Sequence, residues 1–273
     1  LYVGLGASQF LLLASDPATD VPFMLIAALI CLAIVPLVLS AHPAPVVLTP
    51  RAVRYRDLYR LSPLGVVAVA MSGSMSSIVF SLGPVYGRLS GMDTTAIATF
   101  MAANILAGVV TQYPIGALAD RLDRRAVTAG VCALASALFL GIVFWAGMPP
   151  ALLLALSALA SGLVLTIYSL GISHVNDRLD PAEMVAASSA LLLLNGAAAV
   201  VGPILGAIAM GRFQSTAYFV TLGSLTAALT VFCVWRKSRR APVPRGQRGP
   251  FINAQPETSA VIVEPPSGAA KVD

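Results

Sequence analysis

Residues 112–128 read Gln-Tyr-Pro-Ile-Gly-Ala-Leu-Ala-Asp-Arg-Leu-Asp-Arg-Arg-Ala-Val-Thr, with five charged side chains between positions 120 and 125. Uncharged windows lie on either side of this cluster, at 95–118 and 126–146. As a helix, each window is long enough to cross a hydrocarbon layer of about 30 Å. The stretch therefore predicts a short charged turn that joins two membrane-spanning helices.

The composition of the whole chain also indicates a lipid environment. Of the 273 residues 58% are hydrophobic and only 11% are charged, and the mean hydropathy is +0.85. This leaves too little polar surface for a soluble globular protein of this length. Five further uncharged windows occur at 22–39, 64–85, 151–171, 184–210 and 217–235. The sequence predicts an all-α polytopic membrane protein, in which the apolar residues 1–14 are slightly short for a full crossing.

The positions of lysine and arginine predict an orientation. If the windows alternate in direction, only Arg88 and Arg212 lie on one side, and the other fifteen of the 17 basic residues lie on the opposite side. Basic residues near helix ends stay in the cytoplasm. We therefore expect a multi-pass protein of the cell inner (plasma) membrane with a cytoplasmic C-terminus. The net charge of +5 is then explained by basic residues that set the topology and bind the anionic surface of the lipid bilayer, so no nucleic-acid partner is needed to explain it.

Composition also divides the chain into four segments. Residues 1–41 are predicted as the end of an N-terminal helix bundle, and residues 42–60, rich in proline and arginine, as a cytoplasmic central linker. Residues 61–236 contain six windows with short connections, which predicts a six-helix transmembrane bundle of antiparallel neighbours. Residues 237–273 hold many prolines and few large apolar residues, so we expect a disordered cytoplasmic tail.

The charged turn carries a recognisable pattern. Its residues Gly116, Leu118, Asp120, Arg121, Arg124 and Arg125 have the spacing Gly-x-Leu-x-Asp-Arg-x-x-Arg-Arg. This resembles the cytoplasmic loop signature of the major facilitator superfamily (MFS) of transporters, and residues 8–12, 174–179 and 184–188 resemble its bacterial YcaD-like branch. The resemblance implies the MFS fold, with part of helix five (TM5), helix six (TM6) and the C-terminal half (TM7–12) present. It also implies an N-terminally truncated fragment.

A function follows from this resemblance. It implies secondary active transport of a small organic solute by alternating access, expected to be proton-coupled efflux by a protein that is monomeric when complete. Two other classes remain open, namely a non-transporting membrane assembly subunit or inactive fragment, and a polytopic membrane enzyme. An enzymatic function finds little support because the spans contain no ionisable group suited to catalysis. We predict no catalytic residue, metal site or cofactor, and we expect His42 and His174 to be solvated or capping residues at helix ends.

The turn is predicted to act as a conformational latch, since a rocking carrier needs contacts that form in one state and break in the other. The latch residues are Gly116, Asp120, Arg121, Arg124 and Arg125. In this hypothesis the glycine permits close helix approach, the carboxylate accepts from amides at a facing helix N-terminus, and the arginines pair with acids or lipid phosphates. The alternative is that the arginines only anchor the topology. Asp123 stands where the family pattern has a second glycine.

Uncharged polar residues supply the other candidates. Those predicted to line a substrate cavity are Asn104, Thr111, Gln112, Tyr168 and Asn195. The alternative for each is a hydrogen bond between packed helices, worth roughly 1 kcal/mol. Gly202, Pro203 and Gly206 are predicted to form a hinge, because proline removes a backbone hydrogen bond and admits a bend.

Overall fold

The computed structural model describes residues 2–13, 19–39, 54–145, 147–179, 183–237, 251 and 254–256. Apart from short connections, these residues are helical. The elements are α1 (Tyr2–Ser8), a 3-10 helix (Gln9–Leu13), α2 (Val21–Leu39), α3 (Tyr55–Leu61), α4 (Pro63–Leu89), α5 (Thr94–Arg121), α6 (Arg124–Phe144), α7 (Pro150–Asn176), α8 (Met184–Phe213) and α9 (Ala217–Lys237). No strand occurs in this part of the chain, which confirms the all-α prediction.

Six of these helices, α4 to α9, are long and apolar enough to cross a membrane. They coincide with the six windows predicted after residue 60. Most extend past the predicted windows, because a helix continues through flanking charged residues whose long side chains reach the interface. Helix α2 is also apolar, but its stretch Val21–Pro36 is shorter than the other six. The chain is therefore a multi-pass membrane protein.

The six helices form one bundle with α7 near its centre. Helix α4 packs on α8, α5 on α7 and α6 on α9, while α7 also contacts α4 and α6. The short α1 lies on α5, where the Tyr2 hydroxyl donates to the carbonyl oxygen of Leu165 at 3.4 Å. Many large apolar side chains point outwards, among them Val110, Leu193 and Val231, each at least two-thirds exposed. Such a surface suits contact with lipid.

The two ends of the bundle differ in chemistry. At one end, which we call the turn end, a small cavity is lined by Pro63 and Leu64 together with four basic residues, Arg125, His174, Arg178 and Arg236. At the other end five aromatic rings form a cluster: Tyr86, Phe100, Phe139, Tyr218 and Phe219. Arg88 and Arg212, in the last turns of α4 and α8, belong to this aromatic end. The predicted charge asymmetry thus corresponds to two physical ends of one bundle.

The predicted linker and tail are described only in part. Residues 42–53, and with them His42, lie outside the described residues, whereas 55–61 form α3 with Leu58 buried. Most of the predicted disordered tail, 238–250, 252–253 and 257–273, also lies outside them. Two described residues of this segment, Phe251 and Ala254, pack against the helix bundle. Disorder of the tail as a whole stays a prediction.

Candidate functional site: the charged turn and the neighbouring helix crossings

The turn between α5 and α6 ends in an aspartate that caps the second helix. Asp123 is the N-cap of α6, and its carboxylate accepts a hydrogen bond from the Arg125 backbone N–H at 3.1 Å. Aspartate is among the preferred N-cap residues because its side chain satisfies an otherwise unpaired amide. The φ angle of Asp123 is −67°, which needs no glycine. This explains how the chain departs from the family pattern here without a strained turn.

Arg124 is the centre of the site. Its side chain is buried, and its Nη1 donates to Oδ1 of Asp177 at 2.7 Å and to the Ser173 carbonyl at 3.0 Å. The Asp177 side chain is only 3% exposed. Nη2 of Arg124 also reaches Oδ1 of Asp120 at 3.4 Å. A buried and paired charge thus joins the end of α5, the start of α6 and the end of α7.

Asp177 was not among the predicted site residues. It lies 53 positions from Arg124 in the sequence and directly after α7. Positions 174–179 carried a resemblance to the YcaD-like branch, but a resemblance does not reveal which arginine an aspartate meets. The available signal was an acid at the end of an apolar helix, on the same predicted side as the charged turn.

Asp120 and Gly116 face a segment of the tail. The Asp120 side chain is 48% exposed, and its Oδ1 accepts from the Phe251 backbone N–H at 2.8 Å. The phenyl ring of Phe251 lies over Gly116, where a Cβ would come within 2.8 Å of the ring. The sequence predicts amides at a facing helix N-terminus as partners of Asp120, and this stays a prediction; among the described residues a tail amide contacts the carboxylate.

Arg125 lies with other basic groups at the turn end. It is 4% exposed and lines the small cavity together with His174 and Arg178. Nη1 of Arg178 lies 3.0 Å from Nε2 of His174. Because a guanidinium only donates, the imidazole nitrogen accepts here. His174 is 3% exposed, which contradicts a solvated histidine, while the alternative of a capping residue in the last turn of α7 stays a prediction. Arg121, the remaining latch candidate, is exposed.

The five cavity candidates are all buried, with exposures between 0% and 6%. Asn104 and Thr111 donate to carbonyls of their own helix, those of Phe100 at 2.6 Å and Ala107 at 2.9 Å. The amide of Gln112 reaches the Ser169 hydroxyl at 3.5 Å and so links α5 to α7. Tyr168 belongs to a buried apolar cluster.

Asn195 lies where α8 crosses α4. Its Nδ2 donates to the Val69 carbonyl at 2.9 Å and to the Ser72 hydroxyl at 3.1 Å, which joins α8 to α4. These contacts favour the packing alternative for Asn195. Gln112 lies at the α5–α7 crossing instead. A cavity lined by all five residues stays a prediction.

The predicted hinge lies in the same α4–α8 crossing. Helix α8 runs from Met184 to Phe213 without interruption at Pro203. A Cβ on Gly202 would overlap the backbone of Ser74, and one on Gly73 would overlap the backbone oxygen of Asn195. Close backbone approach of this kind requires glycine. The structure gives Gly202 a packing role, and a bend at Pro203 stays a prediction.

Comparison with known proteins gives a family. The family model described as Major Facilitator Superfamily matches residues 2–148 and also residues 64–267. An uncharacterized MFS-type transporter of Enterobacter sp. (strain 638) is 28% identical over 185 residues. The uncharacterized MFS-type transporters YcaD of Shigella flexneri serotype 5b (strain 8401) and of Salmonella paratyphi B are 26% and 25% identical over the same length.

Each alignment covers 68% of this chain and 47% of the relative, so the chain spans about half the length of the curated relatives it matches. No solved structure shows a significant match. These relatives are named as transporters rather than enzymes. The family match includes all six long helices and the charged turn, and the chain belongs to the Major Facilitator Superfamily.

Proposed function

We propose that this chain forms the C-terminal six-helix half, with part of the preceding bundle, of a secondary carrier for a small organic solute. Alternating access in this family moves one helix bundle against the other around a site near the middle of the membrane. Residues 61–236 are the moving bundle in this proposal, and residues 42–60 are the linker between the halves. Membership of the family supports transport as the activity.

The observation that carries the proposal is the network around Arg124. A latch must bind firmly in one conformation and release in the other. Arg124 forms one ion pair with the buried Asp177. Its second ion-pair partner, Asp120, is half exposed and therefore accessible to other groups. The buried pair fixes α6 to α7, and the exposed carboxylate is the part available for exchange. We assign the latch role to Asp120, with Arg124 as its positioning residue.

Direction and orientation are further parts of the proposal. The turn end carries most of the described basic residues, which supports a cytoplasmic turn end and C-terminus in an inner (plasma) membrane. We propose proton-coupled efflux by a monomer. The predicted spans of this half hold no acidic or basic side chain, so a coupling acid would belong to another part of the complete protein or to the solute. Buried amides such as Asn104 and Gln112 suit a neutral or amphipathic solute.

Transport by the product of the complete open reading frame tests this function. Inverted vesicles containing the protein are expected to move one class from a panel of lipophilic cations, sugars and organic acids, and to do so only with a proton gradient. Vesicles from cells carrying the empty vector are the control. Gradient-independent movement would contradict proton coupling, and no movement of any compound by inserted, folded protein would contradict the proposed activity.

Replacing Asp120 with asparagine tests the latch. The substitution keeps an acceptor oxygen but removes the charge, and a hydrogen bond to a charged group contributes about 1.5 to 3 kcal/mol. We expect transport to fall by on the order of tenfold or more, with normal expression. The measurement is the initial rate of transport per amount of protein in the membrane.

Asp93→Asn is the matched control, because it changes an aspartate at the other end of the same helix. Asp93 caps α5 by accepting from the Ala96 N–H at 2.7 Å, and asparagine caps equally well. Its rate should equal that of the unaltered protein. If Asp120→Asn transports as fast as Asp93→Asn, Asp120 is not a latch.

A further inference from the structure

We propose that the surface where α5 and α7 meet at the turn end is a docking site for the chain's own tail. The occupant is defined by its described residues, Phe251 and 254–256, which we call the tail anchor. The described residues leave 238–250 between this anchor and the end of α9. Nothing in the charged-turn pattern implies such a site.

The first half of the docking site binds Phe251. Oδ1 of Asp120 accepts the Phe251 backbone N–H at 2.8 Å. Beside it, the absence of a side chain at Gly116 leaves a notch for the phenyl ring, with ring carbons 2.8 and 3.0 Å from the position of a Cβ. The ring is partly buried against the main apolar core. One carboxylate and one glycine of α5 thus recognise an aromatic residue and its amide.

The second half binds Ala254. The Ser169 hydroxyl of α7 donates to the Ala254 carbonyl oxygen at 2.5 Å. Ala254 itself is 5% exposed and belongs to the buried cluster that contains Tyr168, Ile172 and Leu191. The Ser169 hydroxyl oxygen also accepts a hydrogen bond from the side-chain amide of Gln112 at 3.5 Å. The anchor therefore covers the polar link between α5 and α7.

The two halves together explain why an otherwise polar tail segment docks. Side chains of the bundle satisfy one N–H and one carbonyl of the anchor's main chain, as when an extended peptide is recognised through its backbone. The aromatic ring and the small alanine supply apolar contacts at two separate places. Because the anchor lies on Asp120, it restrains the latch. This consequence rests on the proposed function, whereas the docking of the anchor does not.

Photo-crosslinking tests the docking directly. The photoreactive amino acid p-benzoylphenylalanine replaces Phe251 in the product of the complete open reading frame, and native membranes are irradiated. Peptide mass spectrometry then locates the attachment. We expect an intramolecular crosslink to α5 within residues 112–121.

Two further variants show whether the observed contacts hold the anchor. Ser169→Ala removes the donor to Ala254 and should lower the crosslink yield several-fold. Ser189→Ala is the matched control, since its exposed hydroxyl donates to the Val185 carbonyl oxygen of its own helix at 3.0 Å. It should leave the yield unchanged.

A crosslink distributed over other helices or lipid, or no attachment to α5, would overturn the docking site. So would equal yields from the Ser169 and Ser189 variants. Crosslinking does not depend on transport, so its result can be interpreted even if the transport assay fails.

Discussion

Replacing Arg124 with alanine is expected to destabilise the helix bundle more than any other single change to the charged turn. The guanidinium is buried, and its loss leaves the Asp177 carboxylate, with a side chain only 3% exposed, without its ion-pair partner. Breaking a buried pair from one side costs about 3 to 5 kcal/mol. For a chain of this size that corresponds to a fall in unfolding temperature on the order of 10 °C.

The chain's own cysteines supply the measurement. Cys132 and Cys233 are buried, whereas Cys31 is exposed. In a background that keeps only these two buried cysteines, with Cys31 and any other cysteine replaced by alanine, a thiol-reactive fluorescent probe reports unfolding in detergent as the buried thiols become accessible. The midpoint of the fluorescence rise gives the unfolding temperature of each variant.

Two controls separate a buried ion pair from a general effect of removing arginine. Arg212→Ala removes an exposed arginine at the aromatic end and should leave the midpoint nearly unchanged. Combining Arg124→Met with Asp177→Leu should recover much of the loss, because no buried charge then remains unpaired. An Arg124→Ala midpoint equal to that of Arg212→Ala would refute the structural role of the pair.

Adding a single methyl group at Gly202 should also destabilise the protein. The new Cβ would overlap the backbone of Ser74 on α4, and backbone atoms cannot move aside as a flexible side chain can. Forcing extra volume into a packed contact typically costs about 1 to 3 kcal/mol. We expect Gly202→Ala to lower the unfolding midpoint in the same thiol assay, and Gly73→Ala, on the opposite side of the crossing, to act in the same way.

Gly196→Ala is the matched control on the same helix. Nothing lies within 4 Å of the position of its added Cβ. Alanine in a helix interior is more favourable than glycine by about 0.5 to 1 kcal/mol, so this variant should be equal to or slightly more stable than the parent. If Gly202→Ala were as stable as Gly196→Ala, the helices would not approach as closely as the structure shows.

The controls also separate packing from bending in α8. A hinge at Gly202 and Pro203 would make Gly202→Ala slow transport without loss of stability, because alanine stiffens the chain. A packing role lowers the unfolding midpoint instead. The two interpretations of the same residues thus predict different measurements.

The sequence by itself determined the class of this protein. Long uncharged windows and a charged turn are local properties, and lipid imposes helices on such windows because every backbone group must be satisfied within the segment. The spacing from Gly116 to Arg125 is local too, and it correctly indicated the family. Helix ends were less well placed, since α5 continues to Arg121 beyond its predicted window.

Only the tertiary structure decided which polar groups meet. Asp177 pairs with Arg124 across 53 positions, Asn195 bonds to Val69 across 126, and Asp120 accepts the Phe251 amide across 131. Apolar helices are similar around their circumference, so their rotation and pairing do not follow from hydropathy. They are set by close packing at glycines such as Gly73 and Gly202, where the backbone of one helix meets that of the next.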